Sequence, residues 1–170
     1  MEEKPRKGEN LATITIRNAR PGDIPLIKEC LIDSWIEHAR QLPELLDEER
    51  MRTSKIEEYY QKCFDEPDKC FVYVAKSEGK FAGFVRADIQ EIASFFRYPT
   101  ILYLDDVYVP PEFRRKGVAR QLIQKVEDLA REKGIKRLQG RVYAFNNATQ
   151  KLMESMGYTS PHATWDKVLD

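Results

Sequence analysis

Four cations, Arg114, Arg115, Lys116 and Arg120, surround Gly117 in the stretch "RRKGVAR". Apolar residues then recur at helical spacing through Val118, Ala119, Leu122, Ile123, Val126, Leu129 and Ala130, which predicts a helix starting near Gly117. A helix N-terminus carries about half a positive charge and disfavours cations. The amides from about Arg115 to Arg120 have no intrahelical acceptor, and Gly117 lets backbone approach a ligand closely. A phosphate would satisfy those amides, and the Arg and Lys side chains would add charge-assisted bonds. Just upstream, "LYLDD" ends in two adjacent carboxylates, Asp105 and Asp106, which strand alternation puts on opposite faces.

Other phosphate chemistries fit poorly. No G-x-x-x-x-G-K-[ST] is present, and no G-x-G-x-x-G follows a strand. Lys plus Arg equals Asp plus Glu, 28 against 28, so no general basic field exists to wrap nucleic acid. No apolar run approaches the roughly 20 residues of a membrane span. His38 and His162 are too few and too distant for a metal site, so none is expected. Cys30, Cys63 and Cys70 are odd in number and contain no C-x-x-C pair, which suggests unpaired cysteines in a reducing cytoplasm.

The elements that must carry these residues follow from periodicity. "ATITIRN" (12–18) alternates as a strand, and Asp23 is placed to cap a helix with Ile24, Ile27, Leu31 and Trp35 on one face. A second, more polar helix is expected from about Asp47 to Phe64. "CFVYVAK" and "KFAGFVRADIQEI" flank "SEGK" as a hairpin, "ASFFRYP" interrupts, and "ILYLDDVYV" (101–109) is the next strand. After the helix near Gly117, Gly134 gives a stop, "KRLQGRVY" a strand and "NNATQKLMESMG" a short helix capped by Asn146 or Asn147. "ATWDKVL" reads as a closing strand. The order β-α-α-β-β-β-α-β-α-β is a mixed α/β domain over residues 12–170, behind a flexible tail at 1–11.

At this point the residues resemble a family. "RRKGVA" (114–119) is similar to the R/Q-x-x-G-x-G/A signature of the Gcn5-related N-acetyltransferases. "LYLDDVYVPPEFRRKG" resembles that family's fourth strand and pyrophosphate turn. "NNATQKLMESMGY" resembles its N-x-x-A-x-x-L-Y-x-x-x-G-F element, with Asn146, Leu152, Gly157 and Tyr158 in register. The likeness covers about residues 12 to 168. It implies a mostly antiparallel sheet with helices on both faces, in which strands 101–109 and 137–143 splay apart to receive acetyl-coenzyme A. Val107, Tyr108 and Val109 would pair with the pantetheine arm. The amides of Arg115, Lys116, Gly117, Val118, Ala119 and Arg120, with the Arg114 side chain beside them, would hold the pyrophosphate. Asn146 would contact the cofactor near its arm.

The implied reaction is acetyl transfer to a primary amine. A lysine-like amine with pKa near 10.4 is free in only roughly one molecule in 2,500 at pH 7, so a base matters more than an acid. Asp105 stands where the spermidine/spermine acetyltransferase branch has a Glu in "YLED", which implies Asp105 as base, through a water, with Asp106 the weaker candidate. Many relatives place a proton-donating Tyr after the Leu matching Leu152; here it is Met153, which cannot donate. Tyr108, Tyr143 and Tyr158 are the remaining candidates. Arg141 stands where another branch has a Glu. Trp35, Glu37, His38, Tyr59, Tyr60, Phe95, Phe96 and Tyr98 are the acceptor-site candidates. The expected acceptor is a small molecule such as a polyamine, with no nucleic acid or membrane partner and a homodimer left open. The alternatives are a protein N-terminal or lysine acetyltransferase, and a catalytically decayed coenzyme-A-binding regulatory module.

Overall fold

The computed structural model describes residues 13–169, so the tail expected at 1–11 lies outside the described residues. Five strands form one sheet in chain order: β1 (Ile14–Asn18), β2 (Cys70–Ser77), β3 (Lys80–Glu91), β4 (Thr100–Tyr108) and β5 (Leu138–Gly140). The first three pairings are antiparallel and β4–β5 is parallel. The β2–β3 hairpin turns at Glu78 and Gly79, both at positive φ, as a two-residue loop requires.

Helices cover both faces. On one side, α1 (Ile24–Gln41) and α3 (Ile56–Asp65) bury Ile27, Leu31, Ile56 and Tyr60 against Val72, Val74 and Phe84. On the other, α4 (Val118–Glu132) packs Val118, Leu122, Ile123 and Val126 against Tyr73, Val85, Ala87, Leu102 and Leu104. Leu152, Met153 and Met156 of the α5 region (helix Asn147–Ser155) border that second core.

Several expectations are corrected. The single helix expected at 47–64 is two, α2 (Glu48–Arg52) and α3, because the Thr53 and Ser54 hydroxyls donate back to carbonyls of α2 and end it. Asp23 precedes α1 but caps no α1 amide; it accepts from the Arg20 amide and from Arg17 at 2.7 Å. Its carboxyl is held below the usual range, chiefly by the Arg17 hydrogen bond. The closing strand at 163–169 is irregular chain with Trp165 92% exposed: alternation supplies a candidate face, but a strand also needs a neighbour's backbone to pair with. Cys63 and Cys70 form a disulfide, their Cα atoms 4.7 Å apart, because the chain reverses between the end of α3 and the start of β2. The compartment inferred from unpaired cysteines loses its basis; what holds is that no helix among the described residues is long and apolar enough to cross a membrane.

Two irregularities shape the centre of the sheet. Arg86 pairs with Asp106 while Ala87 pairs with Leu104, so β4 carries one extra residue, a bulge at Asp105. Further along, Gly83 has φ of 145° and a Cβ there would stand 2.6 Å from the Tyr108 carbonyl oxygen. Only glycine lets β3 lie this close to the end of β4. Gly83→Ala should therefore destabilise the fold by about 1–3 kcal/mol, read as a lower midpoint in urea denaturation.

Candidate active site

The β4–β5 ladder ends at the Leu104–Gly140 pair, whereas β4 continues to Tyr108. The two chains part beyond that point, and a cavity of about 1260 Å³ opens between them. Val107, Tyr108 and Val109 line one wall, Arg141, Val142 and Tyr143 the other, and the start of α4 closes one end.

At that end the backbone supplies donors. Gln121 is the first α4 residue whose amide reaches back to an acceptor, the Gly117 carbonyl. Those of 115 to 120 have no backbone acceptor among the described residues. Arg115 at φ 61° and Gly117 at φ 80° are both left-handed and form the turn. A Cβ on Gly117 would meet no protein atom, so glycine is needed there for its backbone angle and for the open space above it. The cations divide by role. Arg114 donates to the Val109 carbonyl and pairs with Glu37 at 3.5 Å, tying α1 to the turn. Arg120 donates to the Ser155 hydroxyl on α5. Arg115 and Lys116 have no carboxylate partner among the described residues. Unpaired amides next to two unneutralised cations fit a phosphate-bearing ligand.

The carboxylates occupy the middle of the cavity, and the bulge changes their facing. Leu104 and Val107, three residues apart, both turn to the α4 core, so Asp105 and Asp106 are displaced together toward α3. Tyr59 of α3 donates to Asp105 and Tyr60 to Asp106, the latter at 2.8 Å. The expectation of opposite faces assumed unbroken alternation, which the extra residue abolishes.

One guanidinium organises this cluster. Arg86, 7% exposed on β3, donates to Asp105 and Tyr59, and pairs with Asp88 at 2.9 Å. Its guanidinium carbon also sits 3.9 Å from the Tyr59 ring centroid. Among the described residues no cation bonds Asp106 directly. Burial, then the charge on Asp105, pushes its carboxyl up to about 6, against the Tyr60 hydrogen bond and Arg86, which lower it. Burial likewise raises Asp88, with Arg86 opposing. Nothing in the sequence singled out Arg86; an arginine interrupting the apolar stretch from Phe81 to Ala87 was the available signal.

The other expected residues separate. Trp35, Glu37, His38 and Tyr59 line the cavity, Tyr60 is buried beneath it, and Phe95, Phe96 and Tyr98 lie exposed on the β3–β4 loop away from it. Leu46, Met51 and Lys55, from the α1–α3 region, line it as well and had not been anticipated. Asn146 lines the cavity and also caps α5, its side chain accepting from the Thr149 amide at 3.1 Å. Met153 lines it too. Of the tyrosines, Tyr143 lines the cavity, stacked on Phe145 with His38 at 5.0 Å, and so does Tyr108, largely buried on the α1 side. Tyr158 packs in the α4 core outside it, its hydroxyl buried and its pKa raised by that burial.

The chain belongs to the acetyltransferase (GNAT) family, which residues 32–158 match. The thialysine N-epsilon-acetyltransferase of Caenorhabditis elegans is 41% identical over 59 residues, 35% of this chain and 37% of that protein. The aminoglycoside N(6')-acetyltransferase type 1 of Salmonella typhimurium is 28% identical over 87 residues, 51% of this chain and 60% of that one. The matched stretches span less than two thirds of either relative's length. Among solved structures, the aminoglycoside N-acetyltransferase AAC(6')-Iy in complex with CoA has a TM-score of 0.68 at 20% identity, covering 98% of this chain and 99% of that one. The tetramutant of the BH1408 protein from Bacillus halodurans has a TM-score of 0.79 at 16% identity, covering 91% and 99%. At these identities the structural likeness is one of fold, the mixed sheet with its parallel β4–β5 pair.

The raised Asp106 pKa has a consequence for stability. A carboxyl whose folded pKa lies above its unfolded value, near 3.9, favours the fold at low pH and loses that contribution as pH rises through about 6. Asp106→Asn keeps an acceptor for Tyr60 and removes the buried charge. It should stabilise the protein by roughly 1–3 kcal/mol at pH 8 and by little at pH 4, measured by denaturation at both pH values.

Proposed function

We propose that the protein is an N-acetyltransferase that moves the acetyl group of acetyl-coenzyme A to a primary amine of a small molecule. One observation carries this reading: a single cavity joins the unpaired amides at the start of α4 to the Asp105–Asp106 step, along a β4 edge that β5 has released. The β4 edge at Val107, Tyr108 and Val109, which β5 does not pair, suits a pantetheine arm with its alternating amides, although the Val109 carbonyl already accepts from Arg114. The amides of 115–120, with Arg115 and Lys116, suit the pyrophosphate, and Asn146 borders the arm's path. Bound there, acetyl-coenzyme A supplies an activated thioester.

The chain's own contribution is to deprotonate and orient the amine. Asp105 is proposed as the base: Tyr59 and Arg86 both donate to its Oδ2, leaving Oδ1 free of partners among the described residues. That arrangement fixes the carboxylate while keeping one oxygen for a water or for the amine itself. A second reading makes Asp106 the base, favoured by its pKa near 6 and by the lack of a cation on it. With Met153 at the usual donor position, the thiolate leaves unaided or takes its proton from water or Tyr143.

The acceptor region combines Trp35, His38 and Tyr59 with carboxylates already paired inside the protein, Glu37 with Arg114 and Asp105 with Arg86. Asp106 is then the one lining carboxylate among the described residues with no cation bonded to it, too little negative charge to attract a polycation. This favours an amino-acid-like acceptor with one side-chain amine over a polyamine, in keeping with the substrate in the thialysine relative's name.

Coenzyme A should raise the melting temperature, as a native-state ligand does, and Gly117→Glu should abolish that rise by straining the turn and repelling the phosphates. Asp105→Asn should lower kcat about 10²- to 10⁴-fold, with partial recovery at high pH as free amine becomes abundant. A comparable loss in Asp106→Asn alone would assign the base to Asp106. Free-thiol release across amino acids, polyamines, aminoglycosides and peptides identifies the acceptor; turnover confined to peptides would overturn the small-molecule reading.

A further inference from the structure

Arg86 also touches a group with no part in acyl transfer. Its Nε donates to Cys63 Sγ at 3.2 Å, and Cys63 is the residue bonded to Cys70. Cys63 follows Tyr59 by four residues and Tyr60 by three, so all three share one face of α3. A separate cavity of about 230 Å³, bordered by Cys63, Cys70, Arg86 and Asp88, opens onto the disulfide. Cys63 is 4% exposed, whereas Cys70 is half-buried and the more accessible sulfur.

We propose that the Cys63–Cys70 bond is a redox-modification site, reduced by dithiols and coupled through Arg86 to the carboxylates of the acetyl-transfer site. A dithiol's thiolate attacks Cys70 Sγ, the Cys63–Cys70 bond breaks, and Cys63 leaves with the electron pair as a thiolate. The reductant's second thiol then displaces Cys70 and closes the reductant's own disulfide. Two electrons pass from the dithiol to the protein. The guanidinium on Cys63 favours it as the leaving sulfur, because a thiol beside a cation ionises more readily and departs faster.

The charge left behind gives the site its reach. Asp106 faces Tyr60 from α3, Arg86 and Asp88 from β3, and Asp105 and Tyr103 on its own strand. Lys62 of α3 and Glu66 and Lys69 of the following loop border the disulfide's cavity. In the oxidised protein Arg86 is the cation bonded among these carboxylates. A Cys63 thiolate on its Nε adds an anion, so Asp106 and Asp88 hold protons to higher pH. Cys63, Cys70 and Asp88 also bring ligand atoms within 4.8 Å of one another, but Arg86 already supplies the positive charge bonded to Cys63 and Asp88.

The effect on turnover rests on the acetyl-transfer reading above; the thiol chemistry does not. Alkylation of the denatured protein with iodoacetamide, read by mass spectrometry, should find one free cysteine, Cys30, before dithiothreitol and three after. In Cys70→Ser, the Cys63 thiol should titrate at least about one pH unit lower with Arg86 present than with Arg86→Met added. Asp106 titrates beside the base in the first reading and is the base in the second, so the acid limb of kcat/KM should move up by roughly half to one pH unit in the reduced wild type and in Cys70→Ser. Cys63→Ser, which loses the crosslink but gains no thiolate, should keep the oxidised profile. If Cys70→Ser does not fold, the reduced wild type carries the same comparison. Three free thiols without reductant, a Cys63 titration indifferent to Arg86, or matching profiles in Cys63→Ser and Cys70→Ser would each overturn the proposal. Stoichiometric zinc binding by the reduced protein would replace it with a metal site. Absence of acetyl transfer would remove only the kinetic readout, since the thiol count and titration stand alone.

Discussion

Strand β4 has one residue more than β3 can match opposite Arg86 and Ala87, and the rest of the site is arranged around that mismatch. The bulge turns Asp105 and Asp106 together toward α3, where two adjacent tyrosines receive them. It also comes directly after the last β4–β5 pair, Leu104–Gly140, so carboxylates and cavity adjoin. A local departure from strand geometry thereby does two jobs: it re-aims side chains and frees a backbone edge.

Burying charge at that point demands compensation, and a single guanidinium supplies much of it. Arg86 bonds Asp105, Asp88 and Tyr59 at once, from a position closed to solvent. Asp106, with no directly bonded cation among the described residues, holds its proton more tightly. The two neighbouring aspartates thus differ electrostatically although the sequence presents them as equivalent. Differences of this kind let one strand segment offer both a fixed carboxylate and a titratable one.

The cationic turn is the complementary device at the other end of the cavity. Arg114 and Arg120 are used internally, fastening α1 and α5 around the start of α4, while Arg115 and Lys116 stay unneutralised. The turn holds two left-handed residues, and the amides it exposes lack acceptors. Such an arrangement costs stability unless an anion completes it, which is why a motif of this composition reads as a binding site.

Much of this was legible in the residues because it depends on local rules. The helix near Gly117 with its orphan amides, the β2–β3 hairpin and the Asn146 cap each follow from spacing and residue type within a few positions, and the family signature overlaps them. The features that needed the fold are those in which distant segments meet. Alternation cannot foresee that β4 carries an extra residue against β3, so the shared facing of Asp105 and Asp106 was missed. Arg86 gave no sign that it would bond Asp105, 19 residues away, or Cys63, 23 residues away, across the α3–sheet interface. The Cys63–Cys70 bond escaped a rule based on spacing because it depends on where the chain reverses. The final segment has the alternation of a strand and no ladder. Sequence periodicity records which face a residue would turn if its element formed; only tertiary packing decides which elements find neighbours and which charges must share one counter-ion.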